Sequence, residues 1–137
     1  MTITNETKTR RIDFAKSESV REHYPSHRIQ IAIKTENIQT HFDNHIWLSS
    51  SDIEKFLSEL SILDEHRKGQ VTLESMSPGE LELTIKAIDN LGHLSVICHY
   101  IKEDRVNNDY SYTIRVEFRL DPTSITSIKN EFLKLMN

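Results

Sequence analysis

Only one cysteine, Cys98, occurs in the chain, so no internal disulfide can form and a reducing cytosol suits it. Glycine is nearly as scarce. Gly69, Gly79 and Gly92 stand far apart, and no phosphate-cradling loop can be built on them. No apolar run approaches the roughly 20 residues that a membrane-spanning helix requires. The opening stretch MTITNETKTR also lacks the apolar centre of a signal peptide. CxxC, HExxH and GxSxG are all missing, which removes the commonest zinc and nucleophile signatures. An excess of positive charge is missing too: 17 basic residues face 21 acidic ones, for a net charge of −4. Gripping a nucleic-acid backbone rests on the opposite balance. These absences describe a cytoplasmic protein with no cofactor, no membrane association and no nucleic-acid partner, whose mild acidity suits a basic protein partner.

What remains is the material of one domain. A chain of 137 residues, 36% hydrophobic and 28% charged, can bury one substantial core and still cover its surface. Residues 1–137 read as that single domain, with 1–9 polar, threonine-rich and expected to fray.

The best-signalled element begins in IWLSSSDIEKFLSELSIL, Ile46 to Leu63. Ser51 and Glu54 have the spacing of a capping box, Asp52 favours the positive helix end, and Trp47 and Leu48 can act as a staple. Ile53, Phe56, Leu57, Leu60 and Leu63 then make one apolar stripe, each contributing roughly 1.5 to 3 kcal/mol once buried. Arg67, Lys68 and Gly69 close the helix. A second helix is announced by Asp121-Pro122 and carries Ile125, Ile128, Phe132 and Leu135 on one stripe.

Elsewhere the period is two. Ile12 and Phe14 mark a short strand, and Lys16 to His27 reads as a loop. Ile29, Ile31 and Ile33 follow; Glu36-Asn37 turns; Phe42, Ile46 and Leu48 return opposite His41, Asp43, His45 and Trp47. After the first helix come Val71 and Leu73, then Leu81, Leu83, Ile85 and Ala87, then Leu94, Val96, Cys98 and Tyr100. The longest alternation is Tyr110, Tyr112, Ile114, Val116, Phe118 and Leu120; beside the Asn107-Asn108 loop the two tyrosines have a composition that suits an interface, but their phase with Ile114 favours the core. The expected fold is α+β: a mostly antiparallel sheet of about six to seven strands, with two amphipathic helices, about 51–66 and 122–136, packed on one face.

No catalytic constellation emerges. Cys98 is in phase with Leu94 and Val96 and reads as a small core residue, with His99 on the other side of its strand. His41, Asp43 and His45 at i, i+2 and i+4 could present ligands to a metal, although histidines on a solvent-facing strand side are ordinarily just solvated. The polar sheet face carries Glu82, Arg115, Glu117 and Arg119. Such a face is most often only wet, but its mixed charge also suits a partner.

The order and pattern of these elements carry a resemblance. IWLSSSD leads into DIEKFLSEL, GQVTLES into ELELTIKA, then LGHLSV, and YTIRVEFRLD runs into the terminal helix, over roughly Arg28 to Met136. In this the chain resembles a set of small bacterial proteins that includes immunity proteins of the WapI type. The resemblance implies a non-enzymatic protein that binds and neutralises a cognate toxin encoded beside it, and it carries over no site residue. Against a basic toxin groove the acidic candidates are Asp43, Glu80, Glu82, Asp104 and Asp109, with Arg115, Glu117 and Arg119 beside them on the sheet face. Two rival readings are a metal-dependent enzyme on His41, Asp43 and His45, and a self-associating adaptor, a homodimer in its simplest form, using the open sheet face.

Overall fold

The computed structural model describes residues 1–40, 44–121 and 123–137. Its strands form two separate antiparallel meanders rather than one sheet, eight strands among the described residues against the six to seven expected. The first meander runs β1 (Thr2–Thr4), β2 (Arg11–Val20), β3 (Ser26–Lys34) and β4 (Asn44–Ser49), and α1 (Ser50–His66) follows. The second runs β5 (Gln70–Glu74), β6 (Leu81–Ala87), β7 (Leu94–Glu103) and β8 (Ser111–Arg119), and α2 (Ser124–Met136) follows. The chain is thus four strands and a helix, twice.

Alternation sets the buried face through most of the strands, although Ile31 to Ile33 and Leu94 to Val96 are buried in succession. Ile12, Phe14, Ile29, Ile31, Ile33, Ile46 and Leu48 are buried from the first sheet; Leu83, Ile85, Val96, Cys98, Val116 and Phe118 are buried from the second. Both helical stripes join the same apolar cluster. Phe132 of α2 meets Phe56 of α1 edge-on at 5.3 Å and Phe14 of β2 at 6.1 Å, so one ring ties both helices to the first sheet. The sheets are also laced directly: Met76 N–H donates to Trp47 O at 2.8 Å, and Tyr112 Oη donates to Asn44 Oδ1 at 3.1 Å.

Several local expectations shift. Where the sequence suggested a fraying terminus, Thr2–Thr4 pairs with β2, Ile3 is fully buried, and the terminal amine donates to Phe14 O. The expected loop 16–27 is mostly strand: β2 continues past Ala15 through an irregularity between Lys16 and Glu18, and β3 already begins at Ser26. The cap of α1 is Ser49, not Ser51; its Oγ accepts from Asp52 N–H at 3.1 Å. Pairing of Ser49 with Ser26 carries the strand that far, and the helix begins at the next residue. Asp121 likewise does not cap α2 directly; its carboxylate closes a turn on the Thr123 N–H and hydroxyl. At the other end of α1, Arg67 holds a left-handed backbone with φ 53°, rare for a side chain of its size. Its guanidinium compensates by donating to Asp64 O, Asp64 Oδ1 and Gly92 O, which ties the helix end to the β6–β7 turn.

Candidate partner-binding surface

The outer face of the second sheet consists of cross-strand rows fixed by its register. One row is Glu74, Glu82, His99 and Arg115; the next is Thr72, Thr84, Ile97 and Glu117; a third is Gln70, Lys86, Ser95 and Arg119. Four sequence-predicted residues, Glu82, Arg115, Glu117 and Arg119, therefore do share one face, and all four are exposed. Glu117 is its hub. Lys86 Nζ lies 3.3 Å from one carboxylate oxygen and Arg115 Nη2 3.3 Å from the other. The hydrogen bond from Lys86, with help from Arg115, holds the Glu117 carboxyl below the usual carboxylate range.

Glu80, Asp104 and Asp109 belong to a second place, the outer end of the β7–β8 hairpin. Asp104 is committed to the loop itself: its carboxylate accepts from the N–H groups of Val106, Asn107 and Asp109. Glu80 reaches back toward Arg105 at 4.0 Å. Between the 78–80 turn and this loop lies a groove of about 480 Å³, lined by Glu80, Ile101, Asp104, Val106 and Tyr110 among others.

Here the phase argument for the tyrosines fails. Tyr110 is 53% and Tyr112 40% exposed, and Val106 at the tip is 89% exposed. The hairpin runs past the end of the core, so Tyr110 is largely in solvent, while Tyr112 stands at the core's margin with its hydroxyl on Asn44 of the first sheet. An aromatic and apolar tip with acidic neighbours has the composition of an interface centre, and it was signalled in the sequence only by the Asn107-Asn108 loop beside the tyrosines.

His41 and Asp43, from the metal reading and the acidic set, lie outside the described residues. His45 stands half-buried on β4 opposite Gln30. Among the described residues no three His, Cys, Asp or Glu side chains are grouped to hold a metal ion. Cys98 is fully buried, as its phase implied, and burial pushes its thiol up to about 12.

One polar chain had no sequence signal at all. His27, buried where β3 meets α1, has Ser19 Oγ 2.9 Å from Nδ1 and Ser50 Oγ 3.0 Å from Nε2. A neutral imidazole satisfies both hydroxyls, donating with one nitrogen and accepting with the other. The pair resembles an activated serine in outline. The neighbouring N–H of Asp52, however, is already bonded to Ser49, and a hydroxyl rather than a carboxylate orients the ring. Its evident work is to join β2, β3 and the first turn of α1. A polar groove of about 660 Å³ opens beside that turn, between Asp52, Lys55, Glu74 and Tyr24.

The sequence matches the model of the Immunity protein WapI-like family over residues 8–137. The chain belongs to that family. No curated protein and no solved structure matches it. The match to the WapI-like family spans both helices and every strand from β2 to β8, so the hairpin tip and the charged sheet face are parts of the family domain rather than additions to it. Among the described residues of this WapI-like chain, no helix is long and apolar enough to cross a membrane.

Proposed function

We propose that this chain is an immunity protein that binds a cognate protein toxin and blocks it without doing chemistry of its own. Membership in the WapI-like immunity family over residues 8–137 carries the reading. The hairpin tip supports it as the contact surface: Val106 and Tyr110 provide apolar anchors, and Glu80, Glu103 and Asp109 surround them with negative charge. Exposed aromatic anchors supply large contact area at small entropic cost, and acidic neighbours speed encounter with a basic groove. A surface of roughly 800 Å² per partner suffices to occlude an active site.

The test is co-expression with the toxin encoded beside this gene, scored as growth. Rescue by the wild-type chain is expected, together with co-purification of a complex. Tyr110→Ala and Val106→Arg, both at exposed positions, should weaken that complex by about 2 kcal/mol each while leaving the melting temperature unchanged. Growth arrest despite soluble wild-type chain overturns the reading, and full binding by both variants moves the contact away from the hairpin.

A further inference from the structure

Edge strands of natural sheets are ordinarily kept short, bulged, covered or broken by proline. Among the described residues, the edges of this molecule follow that rule except one. β1 has three residues. The β4 edge gives its Trp47 carbonyl to Met76, and five-residue β5 has α1 packed against it. β8 runs for nine residues, Ser111–Arg119, with no proline and an unbroken register along β7, and β1 meets the chain only past that span, where Asp121 N–H donates to Thr4 O at 3.4 Å.

The bonds at its two ends settle which backbone groups it leaves over. Leu120 N–H donates to Leu94 O at 2.9 Å, and Asp104 N–H donates to Tyr110 O at 2.9 Å. Even-numbered positions therefore bond to β7. In an antiparallel ladder the intervening positions then point their N–H and C=O away from the partner. Those positions are Ser111, Thr113, Arg115, Glu117 and Arg119, and every one is exposed.

A second β8, antiparallel about a twofold axis at Val116, meets this edge in only one register that suits the charges. There Arg115 faces Glu117 of the second copy and Glu117 faces its Arg115, while Thr113 faces Arg119. All of these are odd positions, so the same register aligns the free N–H and C=O groups as bonded pairs. Sliding by one pair in either direction sets Arg115 against Arg115, or Glu117 against Glu117. Like charges directly opposite are destabilising. On the core side the matched register places Ile114 beside Phe118 and Val116 beside Val116.

We propose that β8 is a self-complementary edge through which two copies of this chain pair, joining their second sheets into one eight-stranded sheet. The charged outer-face residues Arg115 and Glu117 then meet a second copy, while the hairpin tip is left for the toxin. The proposal does not depend on the toxin reading, because it is tested on the chain alone.

Sedimentation of the full chain over a wide concentration range should show a monomer–dimer equilibrium. Arg115→Glu alone and Glu117→Arg alone each set like charges against each other, and each should lower dimer affinity at least tenfold. The double variant R115E/E117R restores opposite charges and should dimerise again. Mixing the two single variants should give a heterodimer that neither forms by itself. Circular dichroism and melting of each variant check that the exposed changes leave the fold intact. A wild-type chain that stays monomeric throughout overturns the proposal, as do single variants that dimerise like wild type or a mixture that fails to associate. If wild type stays monomeric while the single variants lose toxin binding, the edge takes a toxin strand instead and self-pairing is wrong.

Discussion

The thiol of Cys98 sits inside β7, between Leu83 on one neighbouring strand and Val116 on the other, and is fully buried. Only the thiolate attacks a disulfide reagent, and burial raises this pKa to about 12. Labelling of the native protein should therefore run no faster than unfolding, and rapid stoichiometric labelling in buffer would contradict the packing. That inertness was readable from phase alone. The role of His27 was not, because its partners lie 8 and 23 residues away and nothing in the sequence joins them. Burial, with Lys16 and Arg21 adding to it, lowers its pKa below the ordinary 6.5. A lowered folded value means that protonation favours the unfolded chain. The contribution of this ring is thus complete above pH 6.5 and is lost as pH falls from there through the folded value. Melting temperature followed downward through that window should drop, and His27→Gln should start lower and lose part of the slope. An unchanged slope would place the pH sensitivity elsewhere.

At the scale of elements, both helices were legible because their stripes are long and regular, and Ile53, Phe56, Leu60 and Leu63 are all buried. Their starts were less so. Ser49, Ser50 and Ser51 each offer a hydroxyl, and local spacing favoured Ser51 with Glu54; pairing of β4 with β3 selects Ser49 with Asp52 instead. The difference is measurable. Ser49→Ala should cost about 1 kcal/mol of stability, whereas Ser51→Ala at an exposed position should be close to neutral. Equal costs would return the cap to the spacing-based position. The tyrosines of β8 teach a related point. Alternation reports which side of a strand a residue takes, but not where the core beneath it ends. Tyr100 is buried while Tyr112, on a strand of similar pattern, is 40% exposed, because it stands at the margin of the core, where only its hydroxyl reaches Asn44 of the first sheet.

For the whole molecule, the sequence carried the class and the antiparallel character but not the division into two sheets. Strand periodicity names a buried face without naming the neighbour, so β1 to β4 and β5 to β8 look alike whether or not α1 separates them. What the buried faces do imply is a shared core, since residues of both sheets and both helices join one apolar cluster. Phe132 sits where that sharing is tightest, against Phe56 and Phe14, and is fully buried. Phe132→Ala removes the ring from α2 but takes its contacts from α1 and the first sheet as well. It should therefore destabilise the chain by about 3–5 kcal/mol. The loss should show as one cooperative transition in which backbone circular dichroism and Cys98 accessibility change together. Cys98 lies in the second sheet while Phe14 lies in the first, so coincident midpoints mean that both sheets yield at once. If Cys98 stayed protected after half of the backbone signal had gone, the two meanders would be separate folding units and the single core would not be what holds them together.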